Sequence, residues 1–411
     1  MLATSSCGLI QISDSICHDA QVRIAVVAES FLPQANGVTV TLLRLLEYLA
    51  ANGDEVIVLA PAARRGQDSV SIYAGASVRR FRAVPLPGYS EMRLSTPRVR
   101  TLEDHLRWFD PDVVHLAAPF MLGWQAIGAA HALGLPSVAV YQTEVPSYAK
   151  RYKVRQIEPL LWRRIEDIHK SATLSLAPSS YACQQLIDRG VHRVAVWPHG
   201  VDRDRFSSVH RDDVLRASLL AEGEVLVGYV GRLAREKQVE DLAVLQQVPG
   251  VRLVVVGDGP RDAWLRRALP GAVFTGRLDG AELPRLMASL DVFVHTGEMD
   301  TFAQTIQEAQ ACGVPVVAPS RGGPIDLVQH GVNGFLYQPG QLAAMAQHVA
   351  SLVADPVRRA EMGMAAREST AARTWDAVNE QVSVHYRNAI TFAARDRAAG
   401  HRPARRWLLT R

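Results

Sequence analysis

The sequence predicts a doubly wound α/β protein of two Rossmann-like domains facing each other across a cleft. Three observations carry this. Short β-branched apolar runs alternate with helical patterns, the alternation starts afresh in the second half, and a proline- and glycine-containing segment separates the two series.

The first series opens at Arg23–Ala28 (RIAVVA), an unbroken apolar run of the kind that parallel strands covered on both faces show. The loop from Glu29 to Gly37 follows. Apolar residues then recur at helical spacing from Val40 to Ala50, and Asn52-Gly53 closes that helix. Glu55–Ala60 reads as the next strand, with further strands at Ser77–Phe81, Val113–Leu116, Ser137–Tyr141 and Leu174–Ala177. Trp197-Pro198-His199-Gly200-Val201-Asp202 has the composition of a hinge. The second series runs through Val225–Val230, the loop Gly231-Arg232, a helix from about Val239, and a strand at Arg252–Val256. Gly257–Pro260 is a turn, and strands follow at Val273–Thr275, Val292–Val294 and Pro315–Ala318. The expected division is a disordered leader over residues 1–21, an N-terminal domain over 22–198, a C-terminal domain over 199–387, and a helix end with a basic tail over 388–411.

A chain of 411 residues, 48% hydrophobic and 21% charged, can bury two full cores without staples. The four cysteines form no Cys-x-x-Cys pair and lie at no metal-binding spacing from histidine, so no metal is expected and a reducing cytoplasm is. A formal charge of +4 is too mild for a nucleic-acid binder. No apolar run has membrane-spanning length, and Asp14 and Asp19 interrupt any signal-peptide core.

Four segments bear chemistry. Gly231-Arg232 through Lys237 ends a strand at a glycine and sets two cations five residues apart. That pattern suits a diphosphate, and it equally suits a solvated basic loop with Glu236 as partner. Lys237 is one of only four lysines. Asp300 to Glu308 enters a helix, with Thr301 as a cap candidate. Its acids suit sugar or ribose hydroxyls, or a dipole-stabilising Asp and a surface Glu. The loop from Ser30 to Gly37 allows a close backbone approach to phosphate or a plain turn. Finally, Tyr141-Gln142-Thr143-Glu144 ends a strand on the cleft side. The basic stretch behind it (Lys150, Arg151, Lys153, Arg155, Arg163, Arg164, Lys170, with Trp162) suits an anionic lipid surface or a solvated helix paired to Glu158, Glu166 and Asp167.

Together these pieces resemble the retaining GT-B glycosyltransferases of family 4 over about Val22 to Arg387. The resemblance rests on Gly231-Arg232…Lys237, Asp300…Glu308, Ala309-Gln310-Ala311-Cys312-Gly313-Val314-Pro315-Val316-Val317 and Pro198-His199-Gly200-Val201-Asp202. Within the family, Ala28–Gln34, Tyr141–Pro146 and His295-Thr296-Gly297-Glu298 look most like actinobacterial mannosyltransferases that use GDP-mannose with glycolipid or phosphatidylinositol acceptors. The resemblance implies that the first domain faces the acceptor and the second binds the nucleotide-sugar donor. Arg232 and Lys237 would neutralise the departing diphosphate, with Gly231 and Gly37 completing its cradle. Glu308 would hold the ribose, and Asp300 would lie against the transferred sugar. The backbone of Thr301, Phe302, Ala303 and Gln304 would border sugar and phosphate. Arg277 would lie on the donor side near a base-reading loop, and Tyr141 and Glu144 on the acceptor side. No cofactor is implied, and the cations stand in for a metal.

Two positions depart from the family pattern. Asp300 stands where Glu is usual, one methylene shorter. Gln142 stands where related enzymes often place His, so it can hydrogen-bond a sugar but cannot titrate near neutrality. The expected activity is transfer of mannose from GDP-mannose to a glycolipid at the inner face of the plasma membrane. Two alternatives remain: transfer of another hexose from a UDP- or other NDP-sugar to a soluble acceptor such as a secondary-metabolite precursor, and a sugar-nucleotide-binding protein that has lost transfer.

Overall fold

The computed structural model describes residues 21–400, apart from 35, 65, 87–88 and 144–157. The first sheet comprises β1 (Arg23–Ala28), β2 (Glu55–Pro61), β3 (Ile72–Tyr73), β4 (Ala76–Phe81), β7 (Val113–Ala117), β8 (Ser137–Val140), β9 (Leu174–Ala177) and β10 (Val194–Val196). Its order is β10-β9-β8-β7-β1-β2-β4-β3, parallel except for the edge strand β3. A separate antiparallel ribbon, β5 (Val84–Leu86) with β6 (Tyr89–Leu94), follows β4. The helices of this half are α1 (Gly37–Ala51), α2 (Val99–Phe109), α3 (Leu122–Leu133), α4 (Glu158–Ser171) and α5 (Ser180–Ile187).

The second sheet is wholly parallel. It takes β11 (Val225–Val230), β12 (Val251–Val256), β13 (Val273–Gly276), β14 (Val292–Val294), β15 (Val316–Pro319) and β16 (Gly334–Tyr337) in the order β13-β12-β11-β14-β15-β16. Its helices are α6 (Asp213–Leu219), α7 (Asp262–Ala268), α8 (Glu282–Ser289), α9 (Gln304–Ala311), α10 (Pro324–Leu327), α11 (Leu342–Ala354) and α12 (Pro356–Ser369). The helix expected from Val239 is a 3₁₀ segment over Val239–Gln247.

In each sheet the strand order reverses at one strand, β1 in the first and β11 in the second. The crevice at the carboxyl end of such a strand is where open α/β sheets bind ligands. The loops after β1 and β11 are the Glu29–Gly37 and Gly231–Lys237 segments singled out by sequence.

The last helix, α13 (Trp375–Ala398), changes the expected division of the chain. It buries Val378, Val382, Tyr386 and Ala389 in the core of the first sheet beside Leu45, Leu49 and Trp197. Residues 375–387 therefore pack with the first half, not with the 199–387 domain that sequence grouped them in. The apolar face of α13 matches a sheet surface left open beside α1, and chain order gives no sign of that vacancy. Two bonds fix the return path: Trp197 Nε1 donates to the Val378 carbonyl at 3.1 Å, and the Val201 amide to the Arg373 carbonyl at 2.8 Å. Deeper in, the Tyr386 hydroxyl lies 2.9 Å from His115 Nδ1 on β7, and burial pushes His115 down to about 3. Of the terminal segments, 1–20 and 401–411 lie outside the described residues.

Tyr386→Phe leaves His115 Nδ1 buried without that partner. The expected cost is about 1–3 kcal/mol of unfolding free energy, read as a lower urea midpoint at unchanged slope.

Candidate active site

The phosphate-loop candidate starts where β11 ends. The Gly231 amide donates to the Val256 carbonyl at 3.0 Å and the Leu233 amide to the Asp258 carbonyl at 2.7 Å, so two loops lie flat against each other. Gly257 has φ +132°, and a Cβ there would sit 2.0 Å from the Gly231 carbonyl oxygen, which only glycine avoids. Arg232 projects outward with its side chain 51% exposed, its guanidinium 3.9 Å from Glu236 Oε1. A 3₁₀ turn over Arg235–Lys237 sends Lys237 the other way. Its Nζ meets Asp300 Oδ1 at 2.5 Å, and its carbonyl accepts the Thr296 hydroxyl at 2.7 Å.

Asp300 arrives on the loop between β14 and α9. Its other oxygen, Oδ2, lies 3.0 Å from His295 Nε2. Burial by itself would raise this carboxyl, but Lys237 and His295 more than offset that and hold it below the usual carboxylate range. Asp300 was expected to face the transferred sugar, yet both of its oxygens have protein partners here. The Gly323 amide donates to the Asp300 carbonyl at 2.8 Å, and a Cβ on Gly323 would come within 2.1 Å of the Phe302 carbonyl oxygen. The acid loop is thus clamped from below by backbone that tolerates no side chain.

Thr301 does not cap α9. Ala303 holds the cap position at φ +70° with no side-chain bond, while the Thr301 hydroxyl donates to the Gln142 carbonyl at 2.7 Å. That bond joins the acid loop to the carboxyl end of β8 across the cleft. Gln142 is 9% exposed, and its Oε1 is buried without a partner. Phe302 is buried against His199 of the connector, ring centroids 4.7 Å apart. From α9, Gln304 Nε2 donates to the Gly200 carbonyl at 3.0 Å and Gln307 Nε2 to the His199 carbonyl at 2.9 Å. Glu308 is partly buried one turn beyond Gln304. Burial raises its carboxyl to about 7, against opposing effects of Arg205 and Gln304.

Other expected site residues fare differently. Gly37 opens α1 behind the Asn36 cap, with free space where a Cβ would go, so its own packing does not require glycine. Arg277 follows β13 on the surface and pairs with Asp279 at 3.1 Å. Tyr141 is not an acceptor-facing side chain. It is buried against Trp162 and His169, just beyond the end of β8. Trp162 is likewise only 8% exposed, with the Arg189 guanidinium 3.4 Å from its ring centroid, so it is not an exposed anchor for a lipid surface. Glu144, Lys150, Arg151, Lys153 and Arg155 lie outside the described residues.

Sequence reasoning missed His295, Thr296 and Glu29 as parts of the site. Glu29, just after β1, accepts the Phe120 and Gly123 amides at 2.7 and 2.8 Å and so ties the first cleft loop to the start of α3. The segments Ala28–Gln34 and His295–Glu298 carried the family resemblance, but nothing in their residues alone gave Glu29, His295 or Thr296 a place in the site.

The Glu308 shift predicts a pH dependence. The folded protein keeps this proton up to about pH 7, whereas an unfolded chain releases it near 4.5. The native state therefore binds more protons in that window, and stability falls as pH rises from 4.5 to 7. Glu308→Gln abolishes this contribution, on the order of 2 kcal/mol in the difference between chemical-denaturation curves of the two proteins at pH 5 and pH 7.5.

Comparison with known proteins agrees with this geometry. The profile of Glycosyltransferase Family 4 matches residues 35–205, and that of Glycosyl transferases group 1 matches residues 211–369. A GDP-mannose-dependent alpha-mannosyltransferase of Corynebacterium glutamicum is 42% identical over 375 residues, 91% of each chain. The protein of that name from Mycolicibacterium smegmatis is 45% identical over 89% of this chain and 97% of its own. Among solved structures, sucrose-phosphate synthase from Thermosynechococcus elongatus shares the two-domain GT-B fold with a TM-score of 0.73, at 22% identity over 91% of this chain and 100% of that one. With both halves matched and the whole fold shared, the chain belongs to glycosyltransferase family 4 and is a glycosyltransferase of the GT-B type.

Proposed function

We propose that this enzyme transfers mannose from GDP-mannose to an acceptor hydroxyl with retention of configuration, without a metal ion or other cofactor. The observation that carries this reading is the convergence of Lys237, Asp300 and His295 at the carboxyl ends of the adjacent strands β11 and β14, with the acid loop bonded through Thr301 to the Gln142 carbonyl of the other half. Relatives named for GDP-mannose at 42–45% identity support the choice of donor.

In this reading the diphosphate lies on the Gly231 loop. Arg232 swings in from solvent and Lys237 moves from Asp300 toward phosphate. Glu308, ionised, accepts the ribose hydroxyls, and Gln142 accepts a mannose hydroxyl. The backbone from Thr301 to Gln304 borders sugar and phosphate, Gly37 closes the cradle from the first domain, and Arg277 lies toward the base. The bond from the anomeric carbon to the phosphate oxygen breaks as the acceptor oxygen bonds to the same face of that carbon. The acceptor's proton passes to the departing phosphate oxygen. The two cations stabilise charge that develops only as the diphosphate leaves, which is where electrostatic catalysis gains most. Asp300 anchors Lys237 in the resting site and borders the sugar once that cation has moved.

The acceptor in this proposal is a glycolipid, reached from the cytoplasmic face of the membrane. Leu160 (67% exposed) and Arg163 on α4 offer an apolar and a cationic contact, while Trp162 contributes none. Among the described residues no helix is long and apolar enough to cross a membrane.

The test is release of GDP from GDP-mannose by the purified protein with lipid extract as acceptor, in EDTA, alongside UDP-glucose. GDP-mannose turnover that EDTA does not slow, with an α-linked product by NMR, is expected. Turnover of UDP-glucose alone sinks the mannose assignment, and donor binding without turnover points to a binding protein. Lys237→Ala is expected to lower kcat/KM about 10²–10³-fold.

A further inference from the structure

We infer that Gln238 and Glu298 are positioning residues that fix the root of the Lys237 side chain for the donor diphosphate. This rests on the reading of the Gly231–Lys237 loop as the diphosphate site.

The observation is an unusual backbone at a buried position. Gln238 directly follows Lys237 and lies in the left-handed region, at φ 51° and ψ 35°. A side chain with a Cβ is disfavoured there, and glycine would adopt the conformation without penalty. The residue is nevertheless a glutamine, only 6% exposed, and its amide is fully used. Its Nε2 donates to Glu298 Oε1 at 3.1 Å and to Asp241 Oδ2 at 3.4 Å, and its Oε1 accepts the Glu298 amide at 3.4 Å. Gln238 and Glu298 thus face each other through two hydrogen bonds, side chain to side chain and backbone to side chain. Strain held in place by surrounding bonds is found where backbone position serves a function.

What those bonds hold is Lys237. A lysine is a compact charge on a four-carbon stem, so its position depends on how firmly the base of the stem is fixed. The Lys237 carbonyl is fixed by the Thr296 hydroxyl and the next residue by Glu298, both from the loop that carries Asp300. The tip alone is held by an exchangeable ion pair with Asp300. When an incoming diphosphate draws the tip away, the root stays where the acid loop put it. The phosphate loop and the acid loop then move as one body, and Lys237 reaches phosphate without first losing backbone freedom, the general advantage of a preorganised site.

The experiment is a calorimetric titration with GDP of the full-length protein and five single variants, Gln238→Gly, Gln238→Ala, Glu298→Ala, Glu298→Gln and Lys237→Ala, together with the double variant Gln238→Gly/Lys237→Ala. Gln238→Gly relieves the left-handed strain but gives up three partly buried hydrogen bonds, so each variant's melting temperature is measured and the titrations are run well below it, with Gln238→Ala as the strained control. GDP binding by Gln238→Gly and by Glu298→Ala is expected to weaken about tenfold. Glu298→Gln, which keeps an acceptor for the Gln238 amide, is expected to bind close to the unsubstituted protein. In the Lys237→Ala background, Gln238→Gly is expected to weaken GDP binding no further, because its effect runs through the lysine. Unchanged GDP affinity in Gln238→Gly overturns the inference, as does a loss that persists undiminished without Lys237. Equal loss in Glu298→Gln and Glu298→Ala also overturns it, since charge rather than hydrogen bonding would then be the cause. Failure of the unsubstituted protein to bind GDP overturns the proposed donor and this inference together.

Discussion

The ion pair of Lys237 with Asp300 is the contact on which the rest of the site depends. The two residues are 63 positions apart and meet only because β11 and β14 are neighbours in the second sheet, paired at Val227–Val292 and Gly228–Phe293. That adjacency delivers one cation and one anion to the same point at the carboxyl ends of parallel strands. Every other feature of the site is arranged around it: Thr296 on the lysine's carbonyl, His295 on the free carboxylate oxygen, and Gly323 under the acid loop. A partly buried pair of this kind adds little net stability, because desolvation cancels much of the Coulomb gain. In the proposed mechanism its value is a charge held ready, with a partner that an anionic ligand replaces.

The two acids of the segment show how far environment outweighs residue type. Asp300 and Glu308 are eight positions apart, one before α9 and one inside it. Lys237 and His295 hold Asp300 ionised, whereas at Glu308 burial outweighs Arg205 and Gln304 and the proton is kept to about pH 7. A ligand whose hydroxyls bond to ionised Glu308 must therefore displace a proton near neutrality, which couples its binding to pH.

Contact between the halves is made at the site itself. Thr301 reaches the Gln142 carbonyl, while Gln304 and Gln307 reach the connector carbonyls at Gly200 and His199. A second cross-link lies further out, where the Asp326 carboxylate accepts the Ser180 amide and hydroxyl at the start of α5, both at 2.5 Å. The helix α13 crosses back to complete the first core, so the chain passes between the halves twice, at Trp197–Val201 and again near Arg373. The acid loop, the end of β8 and the connector are therefore joined through Thr301 and α9.

The sequence by itself determined most strands of the two sheets, though not β3, β10 or β16, together with the position of the connector and the segments that matter. Each of these is written in local pattern: β-branched runs long enough for buried strands, a glycine at the end of β11, a proline and a glycine between the halves. It also supplied Arg232, Lys237, Asp300 and Glu308 as candidates, because cation and acid spacing is visible along the chain, and Gln142 by its place at the end of a strand. Only the tertiary structure decided which of them meet. It turned Tyr141 and Trp162 into core residues, gave Thr301 to Gln142 instead of a helix cap, brought in His295, and assigned residues 375–387 to the first half. The physical reason is the same in each case. Strand order and the face a side chain takes are set by packing between segments tens to hundreds of residues apart, and no window of sequence contains both partners.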